Sequence, residues 1–204
     1  MEKTIDIGGT SDISDAAAFV EFAKTLNPRT VLDIGTGCYG KAAYLLRQYV
    51  EHKFRKYYGT NYMQIFGIEA YTPNYEFLKA NYPFLYTEVF NEEAIPFYRN
   101  HVCKGEWILA FRTDVIIISH VLEHHTEEDA WELLRVVTKS ASKGVIVACP
   151  NGNYEHHDAN NPYQNHRSVW TPDKIASMYP ITSPVMSLNN EGVEQFTLVI
   201  PSQR

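Results

Sequence analysis

Val31-Leu-Asp-Ile-Gly35-Thr-Gly37-Cys-Tyr-Gly40 is the stretch whose reading decides the fold of this 204-residue chain. An apolar run ends at an acid and then breaks into three glycines at G-x-G-x-x-G spacing. The next segment, Lys41-Ala-Ala-Tyr-Leu-Leu-Arg47, returns to helical periodicity. That order predicts a buried strand, a tight turn and a helix N-terminus, the sequence form of a nucleotide-binding βα turn. Gly35 allows the turn, Gly37 lets a ligand approach the backbone with no Cβ in the way, and Gly40 lets the helix sit close to the sheet. Glycine clusters alone mark ordinary turns, but here the flanks supply the strand and the helix. Asp33 stands just ahead of the first glycine, where dinucleotide-binding strands keep an apolar residue. An acid there suits a ligand with positive charge or several donors better than a pyrophosphate.

Working outward, apolar and polar positions alternate at helical spacing from residue 11 to residue 26, with Asp12 as the expected cap and Asn27-Pro28 as the stop. Thr30 to Ile34 is the first strand, and the helix after the glycines is expected to run to about Lys53. Ile65-Phe-Gly-Ile-Glu69 reads as a second strand ending in an acid. Thr72-Pro73 then reads as a helix start with threonine at the cap, and Tyr75, Leu78 and Tyr82 mark one face of that helix. Leu85 to Phe90 is a third strand, while residues 91–112 follow no regular pattern. Val115-Ile-Ile-Ile118 has the β-branched continuity of a strand buried on both faces. Thr126-Glu-Glu-Asp129 is a capping box opening a helix with Ala130, Trp131, Leu134 and Val137 inward. Gly144 to Cys149 is a fifth strand, Thr171-Pro172 starts a last helix, and Val185–Leu188 with Phe196–Ile200 can form a terminal hairpin. Strands alternating with helices predict a doubly wound α/β sheet.

The length suits a single domain over residues 1–204, with an N-terminal helix region at 1–28 and a substrate-side loop at 150–172. A net charge of −6 gives no general basic surface, which argues against nucleic acid as a partner. Lys53, Arg55 and Lys56 form a basic patch too short to change that, and read as a solvated helix end. The first residues lack a secretory pattern, and no apolar run approaches the ~20 residues that span a bilayer. Cys38, Cys103 and Cys149 sit in or beside apolar stretches, which predicts buried, reduced thiols and a cytoplasmic protein. Cys38 has no activating neighbour in sequence and reads as a small filler.

Taken together, Val31-Leu-Asp-Ile-Gly-Thr-Gly37, Gly67-Ile-Glu69 and Asp114-Val-Ile-Ile-Ile-Ser-His-Val-Leu-Glu-His124 resemble the class I S-adenosylmethionine-dependent methyltransferases, over about residues 28–200. The resemblance implies a Rossmann-like, seven-stranded, mostly parallel sheet with an antiparallel last strand. It implies S-adenosylmethionine as cofactor and S-adenosylhomocysteine as product. Glu69, with Ala70 beside it, would accept hydrogen bonds from the ribose hydroxyls. The Gly35-Thr36-Gly37 backbone would pass along the cofactor, with Asp33 near its amino group or holding the loop. Asn91 and Glu92 fall where the family places an acid over the adenine amine, in a form that departs from the family's usual Asp-Ala. Ser119 and His120 would line the sulfonium side. Asn161-Pro-Tyr-Gln-x-His-x-Ser-x-Trp170 resembles a subgroup of bacterial and archaeal methyltransferases, several associated with surface glycans. The acceptor expected on that basis is a small molecule or glycan-type hydroxyl.

His120, His124, His125, His156, His157 and His166 crowd two loops of the same edge. Three readings compete. His124 or His166 is a candidate general base, since histidine titrates near working pH without perturbation. His156, His157, Asp158 and His166 are ligand types for a metal, but adjacent histidines rarely converge on one ion, so no metal site is expected. Alternatively, His166 and Ser168 hold the long loop against the His120–His124 turn. Two other functions stand beside methyl transfer: a non-catalytic module that keeps the cofactor fold for binding or assembly, and an NAD-dependent dehydrogenase. The glycine loop with Glu69 argues against the first. Asp33 and the His-Val-Leu-Glu-His segment argue against the second.

Overall fold

The computed structural model describes residues 16–51, 63–102 and 113–202. Its centre is β1 (Thr30–Ile34), hydrogen-bonded in parallel to β2 (Gln64–Ile68) on one side and to β4 (Val115–Ser119) on the other. β3 (Glu88–Phe90) extends the sheet beyond β2, and β5 (Gly144–Pro150) extends it beyond β4, again in parallel. β7 (Glu194–Pro201) runs antiparallel against the full length of β5, and β6 (Val185–Leu188) forms the hairpin partner at the edge. The order β3-β2-β1-β4-β5-β7-β6 is the seven-stranded, mostly parallel sheet that the sequence implied.

The apolar runs explain the two layers. Successive strand residues point to opposite faces. Leu32, Ile34, Ile116, Ile118, Val145 and Val147 therefore enter one core, together with Leu134 and Val137. Val31, Val115, Ile117 and Ile146 enter the other, against Phe19, Val20 and Ala23. These last three belong to α1 (Ala16–Leu26), whose predicted cap at Asp12 lies outside the described residues. Leu134 and Val137 belong to α5 (Glu127–Ser140). Thr126 Oγ1 accepts the Asp129 N–H there at 3.2 Å, as the capping box requires. Trp131 is only half-buried and packs edge-on against Trp170 at 4.9 Å.

Several boundaries differ from expectation. α2 (Lys41–Leu45) continues as a π-helical turn (Leu46–Glu51), and Lys53, Arg55 and Lys56 lie outside the described residues, as does Cys103. In α3 (Thr72–Asn81) the N-cap position falls on Tyr71, whose side chain makes no capping bond, and Thr72 is already helical. The Thr72 hydroxyl instead donates to Asn91 Oδ1 at 2.9 Å, a long-range bond that outcompetes local capping. Of its predicted face, Leu78 is buried while Tyr82 is exposed, its ring 6.3 Å from Tyr39 and 6.5 Å from Phe77. β3 is shorter than predicted, beginning at Glu88. The irregular 91–112 segment contains α4 (Ala94–Phe97) and a π-helical turn (Tyr98–Val102). α6 (Pro172–Ala176) begins as predicted, with Thr171 Oγ1 accepting the Lys174 N–H.

Candidate functional site

The strand order reverses between β1 and β4, and in open α/β sheets the ligand crevice lies at the carboxyl ends of the strands around such a point. β1 delivers its glycine turn there. The Gly35 and Thr36 N–H groups both donate to Ile68 O, at 2.9 and 3.2 Å, so the turn leans onto the end of β2. Gly35 has φ +75°, and a Cβ on it would lie 2.4 Å from Val121 Cγ2. Gly40 has φ +54°, and a Cβ there would meet Leu85 and Tyr86 side chains at 2.7 Å. Both positions require glycine for backbone conformation and for space.

Glu69, 6% exposed, follows β2 and faces this turn. Its Oε2 accepts the Gly37 N–H at 2.8 Å and lies 3.5 Å from the Thr36 hydroxyl, while Oε1 accepts the Tyr71 N–H at 2.9 Å. Burial pushes its carboxyl up, and the Tyr71 and Gly37 N–H bonds oppose that. A carboxylate offers about four lone-pair sites, so acceptor capacity remains for hydroxyls of a ligand. Asp33 is 1% exposed, and the Tyr86 hydroxyl donates to its Oδ2 at 2.5 Å, tying β1 to the segment ahead of β3. Burial pushes the Asp33 carboxyl up to about 7, with the Tyr86 bond opposing and the Glu69 charge reinforcing the shift.

Asn91 Nδ2 donates to Glu69 O at 2.9 Å and lies 3.5 Å from Ala70 O. Asn91 therefore fixes the Glu69–Ala70 turn that borders the crevice. Glu92 is engaged elsewhere, its carboxylate 3.2 Å from His101 Nε2. Ser119, half-buried, ends β4, and His120 follows in the left-handed region at φ +54°, its N–H donating to Ala148 O at 2.9 Å. Histidine is among the few non-glycine types enriched there.

Beyond His120 the chain makes a 3₁₀ turn, Leu122–His124, that packs against the long loop following β5. The Glu123 backbone oxygen accepts the N–H groups of Arg167 (2.7 Å) and Ser168 (3.2 Å), and the Ser168 hydroxyl donates to Leu122 O at 3.0 Å. The Trp170 indole N–H donates to Ser168 Oγ at 2.8 Å. This fastening brings His124 and His166 together, their rings edge-to-face at 4.9 Å. His166 Nδ1 is 2.5 Å from Tyr154 O. Burial is the largest influence on His124 and pushes its imidazole down, favouring the neutral ring. His156 and His157 are exposed, and Asp158 Oδ1 accepts the Asn160 and Asn161 N–H groups at 2.8 and 3.1 Å, so the acid is committed to its own turn.

Two site residues went unnoticed in the sequence. Tyr86 carries no local signal, since its partner Asp33 is distant in the chain. Glu123 does: it is an acid in the apolar His-Val-Leu-Glu-His run and becomes 3% exposed. The Cys149 thiol donates to its Oε2 at 3.3 Å, and His120 Nδ1 lies 3.3 Å from Oε1. Burial works to raise the Glu123 carboxyl, but the His120 ring beside it and the charges of His124 and His120 outweigh burial and hold it at about 2.

No family model and no curated protein matches the chain. Solved structures do match it. The methyltransferase domain of a bacterial CtHen1 aligns with 92% of this chain and 98% of its own, at 18% identity and a TM-score of 0.56. An O-methyltransferase from Bacillus cereus, in complex with S-adenosylhomocysteine, aligns with 97% of this chain and 83% of its own, at 14% identity and a TM-score of 0.60. The N-methyltransferase NodS from Bradyrhizobium japonicum, also with S-adenosylhomocysteine, aligns with 93% and 86%, at 7% identity and a TM-score of 0.64. What they share with this chain is the fold, that of class I S-adenosylmethionine-dependent methyltransferases.

Proposed function

We propose that this chain is an S-adenosylmethionine-dependent methyltransferase that transfers a methyl group by in-line displacement to a hydroxyl of a small-molecule or glycan-type acceptor. The observation that carries the reading is the pairing of a buried acid with the glycine turn: Glu69, just past β2, accepts the Gly37 N–H at 2.8 Å and keeps lone pairs for further donors. That arrangement fits the cofactor's ribose, and the Gly35-Thr36-Gly37 backbone and Ala70 would border it. Asn91 positions this turn, Asp33 holds β1 through Tyr86, and Glu92, paired with His101, would lie toward the adenine end.

When bound, S-adenosylmethionine supplies a methyl group already activated by a sulfonium. The protein's task is then alignment and exclusion of water, which together are worth ~7–11 kcal/mol. Ser119 and His120, at the end of β4, would line the sulfonium side. A hydroxyl acceptor must also lose its proton, and Glu123, His124 and His166 lie together just beyond β4. His124 or His166 would take that proton. The 150–172 loop carries His166 and would form the acceptor's side of the crevice. The proposed location is the cytoplasm, supported by Cys38 and Cys149, both buried and unbridged. No helix among the described residues is long and apolar enough to cross a membrane.

Calorimetry with S-adenosylmethionine, S-adenosylhomocysteine and NAD tests the reading. Binding of both sulfur compounds and not of NAD is the expected result. Binding of NAD alone would point to a dehydrogenase, and binding of none to a module that has kept the fold without the cofactor.

A further inference from the structure

We propose that Glu123, His124 and His166 together hold one divalent first-row transition-metal cation, with open coordination positions that receive the acceptor's hydroxyl oxygen. The binding of the cation stands on the geometry alone, whereas its role in transfer rests on the methyltransferase reading above.

Three independent features converge. First, each residue offers one ligand atom, and the three atoms lie within 4.8 Å of one another. Metal–ligand distances of about 2.0–2.2 Å put two ligand atoms at most about 4.4 Å apart, so small side-chain adjustments would bring these three onto one ion. They come from two segments far apart in sequence, the turn after β4 and the loop after β5, and the Glu123 backbone oxygen pins one to the other.

Second, two of the candidate ligand atoms are buried, and one of them has no hydrogen-bond partner. His124 Nδ1 is buried and makes no hydrogen bond among the described residues. Glu123 Oε1 is also buried, 3.3 Å from His120 Nδ1 as its ion-pair partner. Leaving a buried ring nitrogen such as His124 Nδ1 unpaired is costly in a protein interior.

Third, the outer contacts are those that orient metal ligands. A ligating histidine ordinarily gives its second ring N–H to a carbonyl or carboxylate. His166 Nδ1 is 2.5 Å from Tyr154 O, which accepts its N–H and leaves Nε2 as the nitrogen that would face a cation. Glu123 Oε2 is steadied by the Cys149 S–H.

Two imidazoles and one carboxylate form a three-ligand set, which leaves positions open, as catalytic sites do and closed structural sites do not. The donor set suits zinc, cobalt or iron(II) better than magnesium or calcium, which prefer all-oxygen shells. The cation would act as a Lewis acid on the acceptor oxygen. That oxygen gives its proton to water and its lone pair forms the new C–O bond. The electrons of the broken S–C bond remain on sulfur as a thioether. A lone general base would use one imidazole and leave the second imidazole and the carboxylate without a role; a cation engages all three.

The experiment uses the full chain, stripped with a chelator and titrated with Co²⁺ by visible absorption and calorimetry, with Zn²⁺ as competitor. The expected result is one equivalent of Co²⁺ with ligand-field bands, displaced by Zn²⁺. His124→Ala, His166→Ala and the near-isosteric Glu123→Gln should each weaken Co²⁺ binding by at least ~100-fold, beyond what losing an outer contact costs. S-adenosylhomocysteine affinity of His166→Ala should stay unchanged, which shows that the variant is folded. Failure to take up Co²⁺ while S-adenosylhomocysteine still binds would overturn the proposal. So would Co²⁺ binding that survives His166→Ala and is lost in His156→Ala or His157→Ala. Co²⁺ binding without S-adenosylhomocysteine binding would leave the metal site standing and remove the methyltransferase reading.

Discussion

Replacing Tyr86 with phenylalanine removes a single oxygen and leaves the ring packed, so it isolates the bond to Asp33. That bond is 2.5 Å long and reaches a carboxylate that is 1% exposed. The Asp33 carboxyl sits at about 7, above its value in the unfolded chain, chiefly through burial. In the native state it therefore holds its proton to higher pH than the unfolded chain does. Stability from this group is complete below about pH 4 and is lost as the pH rises through about 7, the loss approaching about 4 kcal/mol. The Tyr86 hydroxyl limits that loss because it binds the ionised form. Without it, the cost is that of a hydrogen bond to a charged group, ~1.5–3 kcal/mol at pH 8.5, and only ~0.5–1.5 kcal/mol at pH 5, where Asp33 is protonated. For a chain of this length these correspond to a fall in Tm of about 3–12 °C and about 1–6 °C respectively. Thermal unfolding followed by circular dichroism at both pH values measures the difference. An equal fall at the two pH values, or no fall at pH 8.5, would refute the argument that Tyr86 supports an ionisable buried acid.

Glu69→Ala should weaken S-adenosylhomocysteine binding by ~10–100-fold through lost charge-assisted bonds, read by calorimetry. Unchanged affinity would rule out the ribose role. Since Glu69 also receives the Gly37 and Tyr71 N–H groups, slower amide exchange at these two positions should be lost in the same variant. Gly35→Ala should cost ~1–3 kcal/mol in urea unfolding, from a Cβ facing Val121 Cγ2 at 2.4 Å and from a φ of +75°. Adding Val121→Ala relieves the steric part and not the backbone part, so a full rescue would contradict the conformational argument. Thr126→Ala should cost ~1 kcal/mol by removing the cap of α5, and Thr126→Ser should restore most of it.

The sheet was legible because its signal is short-range. Val115–Ile118 and Gly144–Cys149 are continuous apolar runs, and strands buried on both faces need little more. The glycine turn and the acid at 69 were legible for the same reason, since backbone conformation and strand termini are written locally. What was not legible depends on partners far along the chain. Thr72 reads as a cap until Asn91 is placed beside it. Nothing near Tyr86 announces Asp33. The histidines were recognisable as a group, and His124 and His166 as its candidate bases, but the nearness of Glu123 to both was not, since His166 lies far along the chain. Glu123 is not distinguishable in sequence from an acid on a solvated turn, and the Arg167–Ser168 backbone is what covers that turn.

The knot formed by the Glu123 and Leu122 carbonyls with Arg167, Ser168 and Trp170 divides the long loop into two parts. Its distal end is riveted to the sheet, so residues 166–170 travel with the end of β4 as one piece. The arch between them and β5, residues 153–165, is fastened separately, through Asp158 N–H to Asn165 Oδ1 at 2.8 Å and the Tyr163 hydroxyl to Glu93 Oε1 at 3.2 Å. That arch also carries the carbonyls of Tyr154 and His156 that hold His166, so a change in its path would be felt at the imidazole.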